Sequence, residues 1–264
     1  MSIARLFSAL VSDTGSARPC SEPYGPDERH RLDIYTPAGA RELRPIVMFF
    51  YGGGWRQGHR SSYGFVGAAL AAHGFTAVIP DYRLYPAVAF PTFVADGARA
   101  YCHVTQTLAK AGRPVILMGH SAGAYIAALL ALDRRYIAAQ DRNAGAPAGW
   151  IGLAGPYAFD PTTWPSTRAI FASAARSPDQ ARPVSFAQAG APPALLMHGL
   201  RDRAVKPWNS REMAAALRSH GAGADLIEYG GLGHIGLLLA LSRPFRWRAN
   251  VVPAVLEFLA PFAA

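Results

Sequence analysis

Three short, almost unbroken apolar runs constrain the fold of this chain more than any other feature. They are Pro45–Tyr51 (PIVMFFY), Thr76–Pro80 (TAVIP) and Pro114–Met118 (PVILM). A strand with one wet face alternates polar and apolar residues. A short continuous run bounded by Gly or Pro predicts a strand buried on both faces, the habit of parallel sheets. Between the runs lie helical patterns at Tyr63–His73 and Ala95–Ala111, closed by Gly74 and Gly112, the residue type that ends helices at low steric cost. After the third run comes a further helix, Ala122–Leu132 (AGAYIAALLAL). The alternation then continues with strands at Trp150–Ala154, Ala194–His198 and Asp225–Tyr229 and helices at Ser210–His220 and Asn250–Leu259, while His30–Thr36 alternates as a strand does. This order predicts an α/β fold with a mostly parallel central sheet and helices on both faces. The 264 residues are read as a single domain, with an irregular N-terminal arm at 1–27 and a short cap insertion at 157–190, rich in Pro, Ser and Ala.

The third run leads straight into Gly119-His120-Ser121-Ala122-Gly123 and the helix that follows. A bare Gly-x-Ser-x-Gly is weak evidence, and position decides it. Strand, sharp turn and helix in that order are what a nucleophile elbow demands. The turn lifts the Ser121 hydroxyl above the carboxyl edge of the sheet, and the helix N-terminus brings a positive dipole near a developing oxyanion. The structural alternative is a serine that merely caps a helix between two packing glycines.

A serine hydroxyl needs a base, and in this strand-turn-helix context acid and histidine follow the serine in that order. His234, in the Gly230–His234 stretch after the last predicted strand, is placed in a flexible loop that can reach the same edge. His220 ends a helix, where complementing its dipole suffices, and His198 precedes Gly199 as a structural residue. For the acid, Asp202 leaves the strand before the last one, whereas Asp225 starts a strand and so faces the opposite edge. Asp202 would orient the imidazole and stabilise its charged form, and its alternative is a turn aspartate pairing with Arg201 or Arg203. Backbone N–H groups for an oxyanion would come from Ala122 and from Gly53 and Gly54 in Tyr51-Gly52-Gly53-Gly54-Trp55. That loop lacks the Lys-Ser/Thr and the Gly-x-Gly-x-x-Gly of a phosphate cradle.

These residues resemble the α/β-hydrolase superfamily, most of all the small carboxylesterases near hormone-sensitive lipase and the kynurenine formamidase-like esterases. The ordered matches span about residues 29–262: Tyr51–Trp55, Asp81-Tyr-Arg-Leu84 with Pro86, Phe90-Pro91 and Asp96, Gly119–Gly123, His198-Gly199 with Asp202, and Gly233-His234. The resemblance implies Ser121, Asp202 and His234 as a catalytic triad and Gly53, Gly54 and Ala122 as the oxyanion hole. The family usually opens the glycine loop with His, and Tyr51 stands there in this chain. Arg83 and Asp96 are read as a structural charged pair behind the loop. Trp55, Tyr157, Phe159, Trp164 and Ile235 are candidates to line a substrate pocket, or else ordinary packing.

The activity this points to is hydrolysis of small or medium carboxylic esters through an acyl-enzyme, with a small-molecule ester as partner and no metal or organic cofactor. The alternatives are an amidase of the arylformamidase type with the same triad, a less favoured peptidase, and a non-catalytic scaffold. Other classes are set aside on composition. The formal charge is +9, almost all of it arginine, with Lys110 and Lys206 the two lysines. The arginines are scattered, without the basic-aromatic ribbon of a nucleic-acid surface. Cys20 and Cys102 offer neither a disulfide framework nor metal-ligand spacing, and Cys102 is expected inside a helix core. No run of 18 apolar residues predicts a membrane span, and Leu6–Val11 is too broken for a signal peptide, so the cytoplasm is the expected location. Oligomeric state is left open.

Overall fold

The computed structural model describes residues 19–39, 44–109 and 112–263. Its centre is an eight-stranded sheet. The strands are β1 (Cys20–Pro23), β2 (Arg31–Tyr35), β3 (Ile46–Phe50), β4 (Thr76–Pro80), β5 (Val115–His120), β6 (Gly149–Leu153), β7 (Ala194–Gly199) and β8 (Ala224–Tyr229). Their order is β1-β2-β4-β3-β5-β6-β7-β8. The first two pairings, β1 with β2 and β2 with β4, are antiparallel, and all others are parallel. The expected mostly parallel sheet is therefore present. The three apolar runs form its inner strands β3, β4 and β5, and every residue of all three is buried.

The helices are α1 (Gly64–Ala72), α2 (Thr92–Thr107), α3 (Ala122–Leu132), α4 (Arg135–Gln140), α5 (Trp208–Ser219), α6 (His234–Leu239) and α7 (Val251–Leu259). Helix α3 is apolar all round and wholly buried, as a helix enclosed on every side must be. It packs on β5 and β6 directly behind the elbow. In α2, Cys102 is buried as expected.

Three expectations need correction. Residues 1–18 of the predicted arm lie outside the described residues, but Cys20–Pro23 is not irregular. It pairs with β2, Cys20 opposite Ile34 and Pro23 opposite Arg31, and a polar edge strand carrying Pro gives no period-2 signal to read. The helix predicted to begin at Ala95 starts at Thr92 and ends at Thr107, while Lys110 and Ala111 lie outside the described residues. His234 is not in a flexible loop. It is the first residue of α6, a helix too short to show a period.

The 157–190 stretch is built of turns and one-turn 3₁₀ segments. Part of it packs on the core. Ile170 and Phe171 are fully buried, the Phe90 amide donates to Ile170 O at 2.9 Å, the Ser173 hydroxyl to Phe90 O at 2.6 Å and the Tyr125 hydroxyl to Ala181 O at 2.8 Å.

Candidate active site

Ser121 sits between β5 and α3 with φ 54° and ψ −121°. A non-glycine residue at positive φ is strained by about 1–3 kcal/mol and persists only where its surroundings impose it. Here they do. The Ser121 amide donates to Leu153 O of β6 at 2.9 Å, and its carbonyl accepts the Tyr125 amide at 3.1 Å. The flanking glycines are there for space. A Cβ on Gly123 would lie 2.0 Å from Phe50 O, and one on Gly119 2.3 Å from Gly123 O. No side chain at either position is compatible with the turn, so the pentapeptide is a close-approach motif and not a chance match.

Parallel pairing delivers the remaining groups to the same edge. Gly119 lies beside Phe50 of β3 on one side and Gly152 of β6 on the other, and β7 continues the register outward. The glycine loop thus leaves β3, and Asp202 follows β7, at the edge where β5 delivers Ser121. Asp202 is buried, and its Oδ2 accepts from His234 Nδ1 at 2.7 Å. Its Oδ1 accepts the Ala204 and Val205 amides, each at 2.9 Å. The arginine pairing considered for a turn aspartate is not what holds it. Burial alone would raise its pKa. Hydrogen bonds from His198 and His234, the charge on His234 and the Val205 amide outweigh that and hold the carboxyl well below its usual range. With Nδ1 donating to the carboxylate, His234 Nε2 is the ring nitrogen that carries the lone pair of the neutral imidazole.

The turn after β3 is closed by the Arg56 and Gln57 amides, which donate to Gly53 O at 3.1 and 3.2 Å. Gly53 adopts φ 135°, and a Cβ there would lie 1.9 Å from Gln57 O. Among the described residues, the amides of Gly53, Gly54 and Ala122 donate to no protein acceptor. Three N–H groups without a protein acceptor thus lie at this edge of the sheet.

Tyr51 anchors this loop from below. Its hydroxyl donates to Asp81 Oδ1 at 2.6 Å and accepts from Arg29 Nη2 at 2.8 Å. Its ring stacks between Tyr63 and Tyr82, at centroid distances of 5.1 and 4.8 Å. Buried Asp81 also takes the Arg60 amide at 2.7 Å and the Arg60 guanidinium. Arg83 and Asp96 form the expected pair, Nη2 to Oδ1 at 2.7 Å, and buried His30 shares the carboxylate at 3.1 Å.

The pocket candidates divide. Trp164 is 55% exposed, Ile235 39% exposed, and Phe159 is half-buried with its ring edge-on to Trp164. Trp55 is buried, edge-on to Tyr125 and Phe171. Tyr157 is fully buried, edge-on to Trp150, and presents no open surface.

Two histidines were not singled out for the site. Buried His198 holds Ser210 Oγ through Nδ1 at 2.7 Å and Val205 O through Nε2 at 2.9 Å, and its Nε2 lies 3.4 Å from Asp202 Oδ2. It is structural, as expected, but what it structures is the acid. The i,i+4 spacing of His198 and Asp202 was the available signal. His120 lies inside the elbow with its ring centroid 4.7 Å from that of His234. No cluster of potential metal ligands occurs among the described residues.

An elbow after β5, an acid after β7 and a histidine after β8, on a sheet of this order, define an α/β-hydrolase. The chain belongs to the prolyl oligopeptidase family, whose sequence model matches residues 94–258, and the BD-FAE family model matches residues 32–145. The isoprenylcysteine alpha-carbonyl methylesterase ICME of Arabidopsis thaliana is 28% identical over 243 residues, 82% of this chain and 56% of that protein. A kynurenine formamidase of Danio rerio is 32% identical over 128 residues, 47% of this chain and 43% of that protein. The chain spans little more than half the length of the plant relatives it matches. The propionate-bound structure of Est2, an esterase of Thermogutta terrifontis, superimposes with a TM-score of 0.78 at 22% identity, covering 94% of this chain and 95% of that one, a likeness of fold.

Proposed function

We propose that this chain hydrolyses carboxylic esters of small to medium size, with Ser121, His234 and Asp202 as its triad. The observation that carries the reading is the 2.7 Å hydrogen bond between His234 Nδ1 and buried Asp202 at the sheet edge that carries the Ser121 elbow. Ser121 Oγ attacks the ester carbonyl as its proton passes to His234 Nε2. The carbonyl oxygen becomes an oxyanion held by the amides of Gly53, Gly54 and Ala122. The C–O bond to the alcohol then breaks, the imidazolium returns its proton to the departing oxygen, and Ser121 is left acylated. Water enters, gives a proton to His234, and the same steps in reverse release the carboxylic acid and restore the serine. Asp202 keeps its negative charge throughout and stabilises the imidazolium twice per cycle.

Phe159, Trp164 and Ile235 carry exposed or half-exposed apolar surface and are the parts of the pocket reading that stand closest to solvent. The same proposal treats 1–264 as one domain acting in the cytoplasm, on sequence expectation alone. The kynurenine formamidase match favours a second reading, an arylformamidase that uses the same triad on a formamide.

A panel of p-nitrophenyl esters of increasing acyl length, run beside N-formylkynurenine, tests the assignment. The expected result is ester turnover that Ser121→Ala reduces to background. Ester turnover that survives Ser121→Ala overturns it, and a kcat/KM higher on the formamide than on every ester selects the second reading.

A further inference from the structure

His120 is the buried titratable side chain that the mechanism leaves unused. It is the second residue of the elbow pentapeptide, 2% exposed. Its Nε2 lies 3.1 Å from the backbone carbonyl oxygen of His234. A carbonyl oxygen can only accept, so Nε2 carries the proton and Nδ1 carries the lone pair. That Nδ1 is buried and has no partner. It faces the glycine loop, since a Cβ on Gly52 would lie 2.9 Å from it and 3.1 Å from Ser121 Cβ. The ring is held neutral: burial, then the charge of His234, push its pKa down to about 3.

This geometry fixes the base at two points that do different work. Asp202 orients the imidazole of His234 through Nδ1. His234 is also the first residue of α6, and its backbone carbonyl is the group that His120 grips. The stretch leading to it is tied to the segment after β7 at Leu232, whose carbonyl accepts the Arg201 amide at 2.9 Å, a contact that does not reach the elbow. The bond from His120 does reach it, and the nucleophile is the next residue in the chain.

We propose that His120 is a positioning residue that ties the backbone of the proposed base, His234, to the nucleophile elbow through its Nε2–H, so that serine and base keep their separation through the cycle. This rests on the ester-hydrolase reading. The bond joins residue 120 to residue 234 without touching Asp202, so its loss leaves the acid held by its own amide bonds but lets the imidazole of His234 shift relative to both Asp202 and the serine. Displacement of a catalytic group by about 1 Å costs on the order of 100-fold in rate, and a single neutral hydrogen bond corresponds to about three- to tenfold.

The test compares His120→Gln, whose amide nitrogen reaches the position of Nε2 and still donates, with His120→Leu, which fills similar space and donates nothing. Wild type and Ser121→Ala serve as controls on a p-nitrophenyl ester, so that failure of the ester-hydrolase reading shows as an inactive wild type. Thermal melting corrects for folding. The expected result is a roughly 10- to 100-fold lower kcat for His120→Leu with KM within about twofold, and recovery in His120→Gln to within about threefold of wild type. Independently of turnover, the low-field proton resonance of the His234–Asp202 hydrogen bond should shift or broaden in His120→Leu and stay in place in His120→Gln. Equal losses in the two variants, a loss carried by KM, or wild-type kcat and an unmoved resonance in His120→Leu would each overturn the proposal.

Discussion

Replacing Tyr51 by Phe tests how the glycine loop is held. The substitution removes one oxygen and leaves the ring, so the stacking on Tyr63 and Tyr82 remains. Two hydrogen bonds go: Tyr51 to Asp81 at 2.6 Å and Arg29 to Tyr51 at 2.8 Å. Arg29 loses little, because it still donates to Tyr82 O at 2.8 Å and Gly58 O at 3.0 Å and its side chain is 30% exposed. Asp81 is buried and keeps the Arg60 amide and guanidinium but not its phenol donor. The loss of one donor to a buried carboxylate costs about 1.5–3 kcal/mol. For a chain of this size about 2 kcal/mol corresponds to a Tm lower by roughly 4–8 °C. The loop backbone retains the Tyr82 hydroxyl on Tyr51 O at 2.8 Å and the Tyr63 hydroxyl on Gly52 O at 3.2 Å, so kcat should fall less than about tenfold. Calorimetry and ester kinetics on the same preparation decide it. An unchanged Tm would refute the anchoring role of the phenol. A kcat lower by a thousandfold at wild-type Tm would show instead that the hydroxyl takes part in the chemistry.

Other consequences follow from the same site. Asp202→Asn presents an amide N–H to His234 Nδ1 and forces the imidazole into the wrong tautomer; kcat on an ester should drop roughly 10³–10⁴-fold with a small change in KM, measured under saturating substrate. Gly53→Ala drives a Cβ into Gln57 O at 1.9 Å and cannot keep φ at 135°; kcat should fall at least about 100-fold as the loop amides turn away. His120 sets a pH dependence of stability. Its folded-state pKa lies near 3 against an ordinary 6.5, so the unfolded chain binds this proton first as pH falls. Its contribution is complete above about pH 6.5 and is lost progressively between 6.5 and 3, at about 1.4 kcal/mol per pH unit. Denaturant titrations should find that slope shallower by about one proton in His120→Gln.

Much of the frame was legible in the sequence because the relevant signals are local. Buried parallel strands declare themselves as unbroken apolar runs, so β3, β4 and β5 were placed within a residue or two. The elbow was legible because its glycines answer to steric contacts within a few residues and one neighbouring strand. What escaped depends on contacts made across the fold. Cys20–Pro23 is a strand only because β2 offers it an edge. Asp81 reads as one acid among many until Tyr51, Arg29 and Arg60 converge on it. His120 occupies the variable position of the pentapeptide, and its role depends on a carbonyl 114 residues away. Within the 157–190 stretch, Pro, Ser and Ala carry no periodicity, so nothing local marks Ile170 and Phe171 as the residues buried in the core.

The central claim is that Ser121 is the nucleophile, and covalent labelling tests it most directly. Wild-type protein treated with a fluorophosphonate, digested and mapped by mass spectrometry should carry one phosphonyl group on the peptide containing Gly119–Gly123, at Ser121, and Ser121→Ala should carry none. Ester hydrolysis by a protein whose label sits on another residue, or that takes no label, would contradict the account.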